Sequence, residues 1–227
     1  MTYSLLQGLR VVELGESTSA PYCAKLLADM GAEVVKIERP GIGDQAREYG
    51  PFLNDQPHPE RSGLFLYLNA NKQGVTLDLE TPTGREILGG MLAHSDVFVH
   101  NLHPTKMDHL GVNYENMRPH NDQLIMASIT PFGLTGPYRN YKAYDINLAA
   151  AGGICEGLGS PDREPLTFGT PEVGYFAGMA AASSIVIALL AGAGQHIDIA
   201  EVEAMAGIYN GPEALMAVYQ WRMTRRT

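Results

Sequence analysis

The chain has 227 residues, 45% of them apolar and 18% charged, with a formal net charge of −9. This length holds one large domain or two small ones, and the ordinary globular composition excludes a disordered chain. The acidic balance excludes a general nucleic-acid binder, which needs a basic excess to neutralise phosphates, but leaves room for a local basic cluster holding a small anion.

In chain order, Leu9–Leu14 is a short apolar run rich in β-branched residues, suited to a buried parallel strand. A turn over Ser17–Ala20 follows, and Pro21 opens a predicted helix that ends at Met30 before Gly31. Ala32–Glu38 is the next strand, completing a βαβ unit. Arg39–Leu68 is polar and rich in Gly and Pro, and reads as a long irregular segment of the kind that carries function or moves. Strands are expected at Val75–Leu79, Asp96–Asn101, Leu124–Ile129 and Ile197–Ile199. Helices are expected at Pro82–His94, Thr105–Leu110, Ile146–Ile154 and Val173–Leu190, and from Glu201 onward. Tyr114–Arg118 reads as a turn, and the stretch after Ile129 as a Pro/Gly loop. The alternation implies an α/β fold: an open, mostly parallel, Rossmann-like sheet flanked by helices.

Val173–Leu190 is long and uncharged, yet its Ala, Gly and Ser content makes it a buried, close-packed helix rather than a membrane span. No secretory signal pattern opens the chain, and Cys23 and Cys155 lack CxxC spacing, so a cytoplasmic, disulfide-free protein is expected. Gln220–Thr227 is a basic run after a helix, compatible with an ordinary basic terminus or with a longer protein cut short.

Parallel sheets bind ligands beyond the carboxyl ends of their strands, which selects Gly15–Ala20, Arg39–Asp44, Asn101–Lys106 and Thr130–Tyr144. The first loop, GESTSAP, lacks the glycine fingerprint of dinucleotide sites, which disfavours a dehydrogenase-like domain. His100, His103 and His109 cluster in sequence without the remaining ligands of a metal site, so no metal is expected.

Six segments then carry a resemblance: LRVVELGESTSAPYCAKLLADMGAEVV, KIERPGIGD followed by Arg47, LNANKQGVTLDL, DVFVHNLHP, GPYRNYKAYDINLAAAGG and GQHIDIAEVEA. In this order they resemble the family III CoA-transferases across nearly the whole chain. The resemblance implies a large domain occupying residues 1–227 and incomplete, the small domain and the returning C-terminal segment being absent. It implies no tightly bound cofactor, with coenzyme A and its acyl esters as substrates and a carboxylic acid as acceptor. An interlocked dimer is also implied, with exposed apolar surface near Ala204–Tyr219 covered by further chain or by a partner.

The CoA-contacting positions of that family map onto Thr18, Arg39, Leu77, Asn101, Leu102, Lys142 and Tyr144. Arg39 and Lys142 suit phosphates, the first by a planar fork and the second as a point charge. Arg39 also suits a surface ion pair, Leu77 suits core packing, and Asn101 and Tyr144 suit either ligand contact or loop-holding hydrogen bonds. In the resembling family an Asp attacks the thioester from the start of the Ala-rich helix. This sequence has Gly174 at that position, with Glu172 two residues upstream as a candidate substitute carboxylate or as a solvated residue near a helix N-terminus. The linker ALLAGAGQ is also about four residues shorter than the family pattern. The implied function is acyl-CoA:carboxylate CoA transfer. The alternative is a CoA-binding, non-catalytic subunit paired with an Asp-bearing homologue. The family's racemase chemistry uses a His in an H-D-I-N-like motif, which here is Tyr144-Asp145-Ile146-Asn147, so racemization is disfavoured.

Overall fold

In the computed structural model, which describes residues 4–158, 160 and 162–209, six parallel strands form one sheet in the order β3-β2-β1-β4-β5-β6. They are β1 (Arg10–Leu14), β2 (Glu33–Glu38), β3 (Lys72–Thr76), β4 (Val97–His100), β5 (Ile125–Thr130) and β6 (Gln195–Ala200). Strand register places Val11 beside Val34 and Val97, and Val12 beside Val35 and Phe98.

The helices in chain order are α1 (Ser19–Asp29), α2 (Gly63–Asn69), α3 (Pro82–Leu92), α4 (Pro104–Leu110), α5 (Tyr114–Met117), α6 (Asp145–Ala151), α7 (Ile154–Gly157), α8 (Glu172–Ala191) and α9 (Glu201–Tyr209). Because strand side chains alternate faces, β1 sends Val11 into one apolar layer and Val12 and Leu14 into another. The first layer joins the sheet to α1 and α8 through Leu27, Ala177 and Ile185; the second joins it to α3 and α4 through Leu88, Leu92 and Leu110.

α8 has the length and apolarity of a membrane span, but it packs as a core helix, burying Val173, Gly174, Ala177, Gly178, Ala181, Ala182, Ile185 and Ala188. Its glycines bring it close to α1. A Cβ on Gly178 would lie 2.6 Å from the Ser19 carbonyl oxygen, and one on Gly174 would lie 2.8 Å from Thr18 Cβ.

The expected mostly parallel, Rossmann-like sheet is parallel throughout its six strands. The structure departs from the sequence reading in local elements, among them Tyr114–Met117, a helix where a turn was expected. The third strand is Lys72–Thr76 rather than Val75–Leu79, because Leu77 and Leu79 turn into the apolar layer beyond the strand's end. The segment read as irregular contains α2, capped by Ser62 Oγ accepting from the Phe65 amide at 3.1 Å, and three single-turn helices over Gln45–Glu48, Leu53–Asp55 and Pro59–Arg61. The basic run at Gln220–Thr227 and most of the Ala204–Tyr219 surface lie outside the described residues.

Candidate active site at the carboxyl edge of the sheet

The strand order reverses between β1 and β4, and the crevice there is the usual ligand seat of such a sheet. Gly15 to Thr18 fill it as a tight loop. A Cβ on Gly15 would meet Ala20 Cβ at 2.6 Å, so only glycine permits the chain to turn this closely into α1. Ser17 takes a left-handed backbone conformation, φ 64°, and its amide donates to Asp44 Oδ1 at 2.8 Å. Asn101, just past β4, clasps the same loop. Its Oδ1 accepts from the Glu16 amide at 3.0 Å, and its Nδ2 donates to the Glu16 carbonyl at 2.7 Å and to Ser19 Oγ at 3.1 Å.

Beneath the loop lies a buried charge network. Lys36 Nζ is 2.8 Å from Glu13 Oε1 and 2.7 Å from Asp44 Oδ2, and it donates to the Gly15 carbonyl at 2.8 Å. Lys72 Nζ is 2.7 Å from Glu13 Oε2 and donates to the Pro21 carbonyl at 2.8 Å. Burial alone would raise the Glu13 carboxyl, but Lys36 and Lys72 outweigh it and hold the group below the usual carboxylate range. Burial likewise opposes the Lys36 charge, and Glu13 and Asp44 reverse the balance, raising its pKa. Asp44 thus ties the lysine beneath the loop to the amide of Ser17 within it.

Two concavities flank the loop. The smaller, about 20 Å³, lies between the ends of β1 and β2 and is lined by Arg39, Asp44 and Leu102 among others. Here Arg39 forms a fork on Glu16, Nε lying 3.0 Å from Oε1 and Nη2 donating to Oε2 at 3.2 Å. The larger, about 210 Å³, is lined by Thr18, Asn101, Tyr144 and Gly174 together with Asp145 and Glu201. A broader depression of about 670 Å³, lined by residues such as Glu115, Arg118 and Asp122, lies at the opposite edge, where the chain enters β5. It contains none of the loop ends that a parallel sheet uses for ligands.

Of the residues singled out from sequence, the structure therefore brings Thr18, Asn101, Tyr144 and Gly174 into one pocket, and Arg39 and Leu102 into its neighbour. Leu77 packs its side chain into an apolar layer and donates its amide to the Glu38 carbonyl at 3.0 Å. Lys142 is exposed and lines neither concavity. Glu172 also lines neither; its carboxylate accepts from the Thr170 hydroxyl at the start of α8. The histidines diverge: His100 and His196 flank Ser128 Oγ, each at 2.8 Å, His103 caps α4, and His109 pairs with Glu80.

Sequence reasoning missed Asp145 and Glu201. Asp145 opens α6, and its Oδ1 accepts from the Val173 amide at 3.2 Å, at the N-terminus of α8. Burial raises its pKa, the Val173 amide opposes, and the Glu172 charge adds to the rise. Glu201 opens α9, and burial raises it as well, the Ser19 hydroxyl opposing and the Asp145 charge adding. The strand-end rule applied to β6 as well as to the earlier strands points directly at Glu201.

The model of CoA-transferase family III matches residues 6–226. The chain belongs to this family. It is 34% identical over 209 residues to the succinate–glutarate CoA-transferase of Agrobacterium fabrum, covering 89% of this chain and 52% of that protein. It is 37% identical over 215 residues to the succinyl-CoA–D-citramalate CoA-transferase of Chloroflexus aurantiacus, covering 93% and 51%. A crystal structure of a CAIB/BAIF family protein from Brucella suis superposes with a TM-score of 0.84 at 34% identity, covering 96% of this chain and 57% of that one. The chain spans about half the length of the curated relatives it matches.

Proposed function

We propose that this family III chain seats an acyl-CoA against the Gly15–Thr18 loop and takes part in transferring CoA from that ester to a carboxylic acid. The observation that carries the reading is the meeting of Thr18, Asn101, Tyr144 and Gly174 on one pocket. The family resemblance marks the first three as CoA contacts and the fourth as the position of the attacking carboxylate. Arg39, already 3.0 Å from Glu16, can exchange that partner for a CoA phosphate, and Asn101 keeps the loop in shape while the ligand binds. The names of the two relatives make succinyl-CoA the first donor to try and a dicarboxylic acid the first acceptor.

A second reading is favoured by one contact: the Thr18 side chain occupies the space a side chain at position 174 would need. On that reading the chain binds CoA in the cytoplasm beside an Asp-bearing homologous subunit and performs no chemistry alone. Incubating the purified protein with succinyl-CoA and glutarate, and following glutaryl-CoA by chromatography, tests the proposal. Transfer by this protein alone supports the first reading; transfer only after an Asp-bearing homologue is added supports the second.

A further inference from the structure

The pocket that Gly174 lines also contains a carboxylate. Asp145 reaches it from α6 rather than α8, and its Oδ1 sits 3.2 Å from the amide of Val173, the residue before Gly174. The end of a twenty-residue helix therefore holds it, and the exposed amides and positive end of that helix favour its anionic form. Glu201 lines the same pocket, so two carboxylates share one partly enclosed space. A second observation points to a ligand. Thr18 is 97% buried, being 3% exposed, lines the pocket, and among the described residues its Oγ1 has no hydrogen-bond partner. An unpaired buried hydroxyl is costly unless a bound group supplies its partner.

We propose that Asp145 is the acyl-accepting carboxylate of this protein, occupying from α6 the role that Gly174 leaves empty on α8. This assignment rests on the CoA-transfer reading. An Asp145 oxygen bonds to the thioester carbonyl carbon, the C–S bond breaks, and CoA leaves as thiolate, giving a mixed anhydride. The thiolate bonds to Asp145 Cγ, the bond from Cγ to the bridging oxygen breaks, and the first acid leaves as its carboxylate. The acceptor carboxylate then attacks Cγ and expels the thiolate. That thiolate attacks the acceptor's acyl carbon, returning Asp145 as carboxylate. Each step exchanges one bond for another, and no electron or net proton is consumed. Burial raises the Glu201 pKa, the Ser19 hydroxyl opposes, and the Asp145 charge adds to the rise.

The test is hydroxylamine trapping during turnover with succinyl-CoA and glutarate, the modified residue being located by peptide mass spectrometry. CoA binding is measured in parallel by calorimetry. The wild-type protein is expected to carry the hydroxamate on Asp145. Asp145→Asn is expected to lose the label and to slow transfer about a thousandfold or more while still binding CoA. Glu172→Gln is expected to keep the label. A label on Glu172 or Glu201 overturns the assignment, as does transfer at an undiminished rate by Asp145→Asn. CoA binding by the wild-type protein without any label overturns it too, leaving the paired-subunit reading in place. Failure to bind CoA at all defeats the transferase reading itself. Wild-type trapping does not depend on how well the variants fold.

Discussion

Thr18 stands directly against Gly174: a Cβ at position 174 would lie 2.8 Å from Thr18 Cβ and 3.1 Å from its Cγ2. Close-packed interiors do not absorb such an overlap without moving backbone. Gly174→Ala is therefore expected to lower stability by about 1–3 kcal/mol in urea unfolding. Thr18→Gly removes both opposing carbons, so the double variant should lose less than the sum of the single losses. Additive losses would show that α1 and α8 have slack at this contact.

The charge network beneath the loop makes a second prediction. Lys36 and Glu13 are 2% and 0% exposed, so removing one partner strands a buried charge. Lys36→Met is expected to cost about 3–5 kcal/mol, whereas loss of an exposed pair such as Lys25–Asp29 should cost under about 1 kcal/mol. Because the folded Glu13 carboxyl lies below its ordinary value, its contribution is present above that value and is lost as pH falls through the folded one. Urea midpoints measured across the acid range report both effects.

His100 gives a pH dependence of its own. Burial, with a smaller contribution from His196, pushes its imidazole down to about 3. The Leu102 amide donates to Nδ1 at 3.2 Å, so the proton sits on Nε2 and is offered to Ser128 Oγ. The unfolded chain takes up a proton near 6.5 that the folded one refuses. Stability is then full above about pH 6.5 and falls as pH drops toward 3. His100→Gln should flatten this slope in pH-resolved urea titrations. An unchanged slope would place the proton uptake elsewhere.

Arg39 and Glu16 form a competing pair at the mouth of the smaller concavity. A half-exposed pair of this kind is weak, so a phosphate can displace the carboxylate. Glu16→Gln is expected to tighten CoA binding a few-fold by freeing the guanidinium, and Arg39→Ala to weaken it about tenfold or more. Calorimetric titration at two salt concentrations measures both. No change in either variant would assign Arg39 to structure alone.

Much of the fold was legible because β1, β2, β4 and β5 carry short apolar stretches, VV in β1 and β2, VFV in β4 and IMASI in β5, as strands covered on both faces do. β3 was misplaced because it is an edge strand of sequence KQGVT, exposed along most of its length, whereas the more apolar residues after it pack into a layer. Nothing local explains why Lys72 stands in that strand; its partner Glu13 is 59 residues earlier, and only the sheet brings them together. The candidate site was half legible for the same reason. Thr18, Asn101 and Tyr144 follow strand ends or a recognisable motif, and they meet. Glu172 was close to Gly174 in sequence, yet it lines neither pocket, whereas Asp145 is 28 residues from Val173, and its carboxylate lines the pocket and accepts from the Val173 amide.

The proposed CoA seat is the loop clasped by Asp44 and Asn101. Amide hydrogen exchange of the protein with and without CoA is the decisive measurement. CoA is expected to bind and to slow exchange across residues 15–20 and 39–44. Binding that leaves both segments unprotected, or protection confined to the depression around Glu115–Asp122, would contradict it.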